Sequence, residues 1–255
     1  MATERAFHIV MQGKGGVGKS TVSRFLAELL SDRGALPACF DLDAVNPSFS
    51  AVKALEVITS DIMDGDLIDP RKFDGVVDAV LETEGDVVVD CGASTFNPML
   101  AYIDEIDLFT VLGNEGFDVH LHTVIAGGAD LQDTTQGFAT LAKRFGTAAQ
   151  LVVWLNPKNG AIEMGGKPFE DWPVTRDNHK HLKGFVSLPV LGPRTAAVDL
   201  TEMLSKGLTF SEAIDAKSPL PAMARHRLRR VRDTIFSDID TVLGIKAVPA
   251  IEAAE

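Results

Sequence analysis

Eight residues near the start of the chain limit its fold more than any other feature. Gly13-Lys14-Gly15-Gly16-Val17-Gly18-Lys19-Ser20 fits G-x-x-x-x-G-K-[ST] in full, with the apolar run Phe7–Met11 before it and the helical pattern TVSRFLAELL after it. Glycines let a backbone curl so that its N–H groups point inward, and the N-terminus of the following helix adds a dipole that favours negative charge. The pattern predicts a strand–loop–helix unit that cradles nucleotide phosphates with residues from Gly13 to Thr21. Lys19 brings a point charge to the β- and γ-phosphates, and the Ser20 hydroxyl suits Mg²⁺.

The rest of the chain repeats the same alternation. Short runs rich in Val, Ile and Leu occur at Phe7–Met11, Leu36–Phe40, Val87–Val89, Leu108–Leu112, Val119–Ile125, Leu151–Leu155 and Gly184–Leu188. Most lack strict alternation, as strands buried on both faces should. Helix-length amphipathic stretches separate them at Lys19–Arg33, Pro70–Glu82, Leu131–Phe145 and Thr195–Lys206, with one more at Pro221–Leu243. The expected fold is α/β: three layers, with a mostly parallel, doubly wound P-loop sheet and helices on both faces. Residues 1–255 read as a single domain with a basic C-terminal helix near 221–243 and a frayed tail at 244–255. Gly160, Gly165, Gly166, Pro168 and Pro173 mark Pro157–Lys183 as a long loop or excursion.

Composition excludes several function classes. With 36 acidic and 24 basic side chains the net charge is −12, so the chain is no general polyanion binder. No apolar run has the length of a membrane span, and the N-terminus lacks the apolar core of a signal peptide. Cys39 and Cys91 stand 52 positions apart without any CxxC, which reads as two buried thiols in a reducing compartment, the cytoplasm.

Carboxylates follow two of the apolar runs. Val87-Val88-Val89-Asp90 ends a buried strand in an acid that would bind Mg²⁺ through water, and Cys91-Gly92-Ala93-Ser94 would sense the γ-phosphate. Asp41-Leu42-Asp43 ends another, where an open parallel sheet has its ligand crevice.

A second lysine inside the loop adds a narrower likeness. Gln12 through Thr21 resembles the deviant Walker A motif KGGVGK[ST] of the ParA/MinD family. That resemblance implies a Mg²⁺-dependent ATPase that forms a homodimer in its ATP state, with Lys14 reaching the partner's phosphates. It also implies that Asp43 orients the attacking water and Asp41 helps hold the Mg²⁺ hydration shell. Asn156 would face adenine, with Pro189 and Val190 packed near it. GTPases of related architecture read guanine with N-K-x-D, whereas this chain has Asn156-Pro157-Lys158-Asn159. Asp43-Ala44-Val45-Asn46 departs from the DPQ of the partition proteins. A closer resemblance, to the TraL-type ATPases of conjugative plasmid transfer regions, covers most of the chain. It rests on Val45-Asn46, Ile62–Asp66, Asp90–Ser94, His122-Thr123-Val124, Gly137-Phe138 and Val152–Pro157.

Other features point elsewhere or nowhere. His120 and His122 would share one strand face but lack a third metal ligand, and His179 and His181 lie in a polar stretch. Arg225, Arg227, Arg229, Arg230 and Arg232 fall within eight residues, beside an apolar stripe of Val231, Ile235, Ile239 and Val242. They would suit non-specific DNA or an acidic protein partner. Membrane attachment is disfavoured by the acidic tail. Competing readings are a regulatory module that binds nucleotide with little hydrolysis, a plasmid partition ATPase and a small-molecule P-loop kinase. Iron–sulfur carriers of this architecture are disfavoured by the missing CxxC.

Overall fold

The computed structural model describes residues 5–245. Nine helices and seven main-sheet strands follow one another among them, starting with β1 (Arg5–Val10), α1 (Lys19–Asp32), β2 (Ala38–Asp41) and β3 (Ile58–Thr59). Next come α2 (Lys72–Leu81), β4 (Val87–Asp90), α3 (Phe96–Ile106), α4 (Leu108–Asn114) and β5 (Phe117–Ala126). The chain continues with α5 (Leu131–Phe145), β6 (Gln150–Asn156), α6 (Pro173–Asp177) and β7 (Leu182–Ser187), and closes with α7 (Ala196–Ser205), α8 (Phe210–Ile214) and α9 (Ala222–Leu243). The sheet runs β7-β6-β5-β1-β4-β2-β3 with every pairing parallel. Strand direction of travel reverses beside β1, so the loop after it opens into the crevice at a topological switch point.

Side-chain alternation along each strand feeds two cores. Phe7, Ile9, Val87, Val89 and Leu121 pack under α2, α3, α4 and the end of α5. Val10, Val88, Val124, Val152, Trp154 and Val186 pack under α1, α7, α8 and α9. A smaller cluster seats Phe169 and Trp172 of the excursion against Phe138 and Ala142 of α5. The expected apolar stripe of the last helix faces the core shared with α1, α7 and α8, with Val231, Ile235 and Ile239 buried and Val242 packed against that core.

Three expectations need correction or completion. Leu108–Leu112 is not a strand but most of α4; the chain turns at left-handed Asp107 (φ 52°) and buries Leu108, Phe109 and Leu112 on one helical face. A short apolar run fits either period, and only its neighbours decide. No element was foreseen at α3 or β3, nor the small hairpin Met63–Asp64 with Leu67–Ile68. The Pro157–Lys183 excursion is partly ordered, with a hairpin of Glu163–Met164 and Lys167–Pro168 followed by α6. The expected frayed tail lies, beyond Ile245, outside the described residues.

On the α1/α9 side, three histidines meet. Register places His8 beside His120 and Val10 beside His122. The Trp154 indole donates to His122 Nδ1 at 3.0 Å, and His122 Nε2 lies 3.0 Å from His8 Nδ1. An indole N–H can only donate, so His122 carries its proton on Nε2 and gives it to His8 Nδ1. Burial, followed by the neighbouring histidines, holds both rings well below the usual histidine range.

Candidate nucleotide site

The loop between β1 and α1 takes its shape from Gly16 (φ 75°) and Gly18 (φ 104°), conformations that a β-carbon disfavours. Gly18 also meets the Asn156 side chain, whose Nδ2 would lie 3.0 Å from a β-carbon there. Asn156 donates from Nδ2 to the Val17 carbonyl at 2.9 Å and accepts the Lys158 N–H at 3.2 Å, which ties the end of β6 to the loop.

Beside the loop lies a cleft of about 680 Å³. Gly15, Gly16, Gly18, Lys19, Ser20, Thr21, Asp43, Asn156, Pro189 and Val190 all line it, so most of the sequence-predicted residues converge. Gly13, Lys14, Val17, Asp41 and Asp90 do not line it. Gly13 backs onto the Phe96 ring and Val17 is buried. Lys19 is largely buried, donates to the Lys14 carbonyl at 3.0 Å, and has its pKa lowered by desolvation against the pull of Asp90 and Asp43.

Behind the loop Asp90 is fully buried. Ser23 Oγ donates to its Oδ1 at 2.9 Å, whereas Oδ2 has no partner among the described residues. Burial raises the carboxyl to about 6, opposed by the Ser20 and Ser23 hydroxyls. A buried carboxylate oxygen left unpaired beside Ser20 is the donor set that a hydrated divalent cation takes. The residues fit Mg²⁺. Ser23 went unnoticed in the sequence, although it lies one helical turn beyond Lys19 and therefore on the same face.

Asp41 and Asp43 organise the loop after β2. Asp41 accepts the Asp43 N–H at 3.0 Å and the Ser50 N–H at 2.9 Å, one on each oxygen, and burial raises its pKa. Asp43 Oδ1 accepts the N–H groups of Val45 at 3.1 Å and Asn46 at 2.9 Å. Asp43 Oδ2 receives no hydrogen bond from the described residues.

Lys14 points out of its own cleft. Its Nζ lies 2.9 Å from Asp133 and 3.4 Å from Asp130, at the start of α5. Those contacts, the Asp133 hydrogen bond first, raise its pKa. Nothing in the sequence near Lys14 signals these partners.

The basic helix is less available than its composition suggests. Arg225 donates to the Asp215 and Ala216 carbonyls, Arg227 pairs with Asp199 at 2.5 Å, and Arg232 pairs with neighbouring Asp233 at 2.8 Å. Arg229 and Arg230 are exposed and make no side-chain contact of this kind among the described residues.

Comparison with known proteins places this geometry. Two Escherichia coli proteins named TraL are each 41% identical over 233 residues, spanning 91% of this chain and 96% of the relative. The chain belongs to the TraL group of ParA/MinD-like P-loop NTPases. The family model for ParA, described as NUBPL iron-transfer P-loop NTPase, matches residues 4–92. Among solved structures, MinD with Mg-ADP from Pyrococcus horikoshii aligns with TM-score 0.51 at 18% identity, covering 95% of this chain and 99% of that one. The MinC:MinD complex of Aquifex aeolicus gives 0.52 at 14% identity, covering 89% and 96%. At those identities the likeness is one of fold: the TraL-type chain has the MinD-like sheet. Among its described residues no helix is long and apolar enough to cross a membrane.

Proposed function

We propose that this chain is a slow Mg²⁺-dependent ATPase that works as a dimerisation switch in the cytoplasm, positioning a complex during plasmid conjugal transfer. The observation that carries the reading is the division of labour between the loop lysines. Lys19 is turned into the loop, whereas Lys14 is directed outward onto carboxylates at 2.9 and 3.4 Å, where a second subunit can recruit it.

In this reading Gly13 to Thr21 cradle the phosphates, with Lys19 neutralising charge on the β- and γ-groups. Ser20 and Asp90 hold Mg²⁺, which would stabilise negative charge on the transferring phosphoryl group. Asp41 acts through the loop it shapes, and Asp43 uses Oδ2 to orient a water. Asn156, Pro189 and Val190 form the base side of the cleft, and the lack of an N-K-x-D aspartate favours adenine. The transfer role comes from the TraL relatives. Iron transfer is not part of the proposal, because Cys39 and Cys91 are both buried on opposite faces of the sheet.

The test is mass measurement in solution with and without Mg-ATP, alongside phosphate release with and without DNA. The expected result is a monomer that becomes a dimer with ATP and returns as phosphate appears. A chain that stays monomeric with ATP and releases no phosphate would dismiss the switch.

A further inference from the structure

Gln12 is a glutamine with 1% of its surface exposed, at the root of the phosphate loop, and the loop pattern itself does not ask for it. Glutamine is seldom buried so completely. Its surroundings explain the burial. The β1–β5 ladder continues one step past β1, where the Met11 N–H bonds the His122 carbonyl at 2.9 Å. In a parallel ladder the next rung would join the Gly13 N–H to the Val124 carbonyl. Instead the Gln12 side chain stands between them. Gly13 N–H donates to Gln12 Oε1 at 2.9 Å, and Gln12 Nε2 donates to the Val124 carbonyl at 3.1 Å.

The same Nε2 lies 3.0 Å from the Thr134 carbonyl of α5 and 3.2 Å from Thr123 Oγ1. Its orientation is fixed by chemistry: an N–H must find the oxygen, and two carbonyls must find the nitrogen. Two hydrogens serve three acceptors, so one is shared. Space for this amide exists because residue 137 is glycine; a β-carbon there would fall 2.0 Å from Gln12 Oε1. Thr123 and Gly137, two positions of the TraL-like stretches without evident chemistry, thus form one socket.

We propose that Gln12 is a positioning residue for nucleotide binding: its amide replaces a backbone rung, which lets the chain leave the sheet at Gly13 with both the Gly13 N–H and the Val124 carbonyl paired. Through Thr134 it also fixes the start of α5, whose Asp130 and Asp133 hold Lys14. One side chain sets the location of both loop lysines. This inference rests on the nucleotide reading given above.

The experiment uses the full chain, measuring amide hydrogen exchange along its whole length without ligand, with residues 12–20 and the first turn of α5 as the segments of interest, and the affinity for a fluorescent ATP analogue with Mg²⁺. Gln12→Ala should speed exchange in the loop and the first turn of α5 and weaken affinity about tenfold, the loss of roughly one net hydrogen bond. Gly137→Ala should do the same by displacing the amide. The double variant should be no worse than Gln12→Ala alone, because the added methyl then meets empty space. Gln12→Ala with unchanged exchange and affinity would overturn the proposal. So would exchange accelerated equally throughout the chain, or additive losses in the double variant. If the unaltered protein binds no nucleotide, the ATPase reading falls and takes the nucleotide half of the inference with it. The exchange measurement then still decides whether Gln12 holds the loop.

Discussion

Gly92 lies so close to Asp43 that a β-carbon on it would fall 2.5 Å from the Asp43 carboxylate carbon and 2.9 Å from its Cα. The loop after β4 and the loop after β2 are therefore packed as one unit beside the cleft. Gly92→Ala should fold and bind ATP but lose about 10²-fold in turnover, since displacement of a reacting group by an ångström costs that much. Phosphate release measured beside analogue binding would show it, and unchanged turnover would detach Asp43 from the chemistry.

Asp43→Ala and Lys14→Ala separate two roles. The first should keep ATP binding, lose turnover and accumulate dimer. The second should bind ATP and remain a monomer. Sedimentation with ATP distinguishes them, and a Lys14→Ala chain that dimerises normally would remove the cross-subunit role.

The histidine cluster makes stability depend on pH. His8 and His122 have folded pKa values well below the usual value of about 6.5. The unfolded chain therefore takes up protons below about pH 6.5 that the native state refuses, and stability falls with falling pH. Each such group contributes a slope of up to about 1.4 kcal/mol per pH unit. Asp90 at about 6 and Glu28 at about 7, both raised by burial, act with the opposite sign in the same window. Comparison with a variant isolates the histidine part: for His8→Gln, which can still accept from His122, the stability of the unaltered protein minus that of the variant, from urea unfolding, should rise with pH between 5 and 7. Parallel curves for the two proteins would contradict the neutral-histidine chain.

Glu28 in α1 accepts from Arg24 at 2.8 Å and from the Phe210 N–H at 2.6 Å, with both charged side chains buried. Glu28→Ala should cost about 3–5 kcal/mol, because it strands a buried guanidinium and unties α8 from α1. Urea denaturation gives the value; a loss below about 1 kcal/mol would mean that water reaches Arg24.

With three arginines of α9 engaged inside the chain, DNA binding through this helix would rest on Arg229 and Arg230. Fluorescence anisotropy on a duplex should then show a log–log salt slope of about −2, abolished by replacing both with Ala. A slope that survives the replacement would move any DNA contact elsewhere.

The phosphate loop, the parallel α/β architecture, the strand carboxylates and the last helix were legible in the sequence because each is a local pattern: a fixed motif or a period of apolar residues within one element. Leu108–Leu112 shows the limit of such reading, since five apolar-rich residues fit a helix or a strand until α3 and β5 claim their places. Only the tertiary structure decided that Lys14 rests on Asp133, 119 positions away, that His8 joins His120 and His122, and that Gln12 fits a socket built from Thr123, Thr134 and Gly137. Those contacts depend on strand register and on how α5 crosses the sheet, which no local periodicity encodes. The sequence by itself determined that this chain carries a P-loop between its first strand and first helix. The fold decided how the loop leaves that strand and where its second lysine waits.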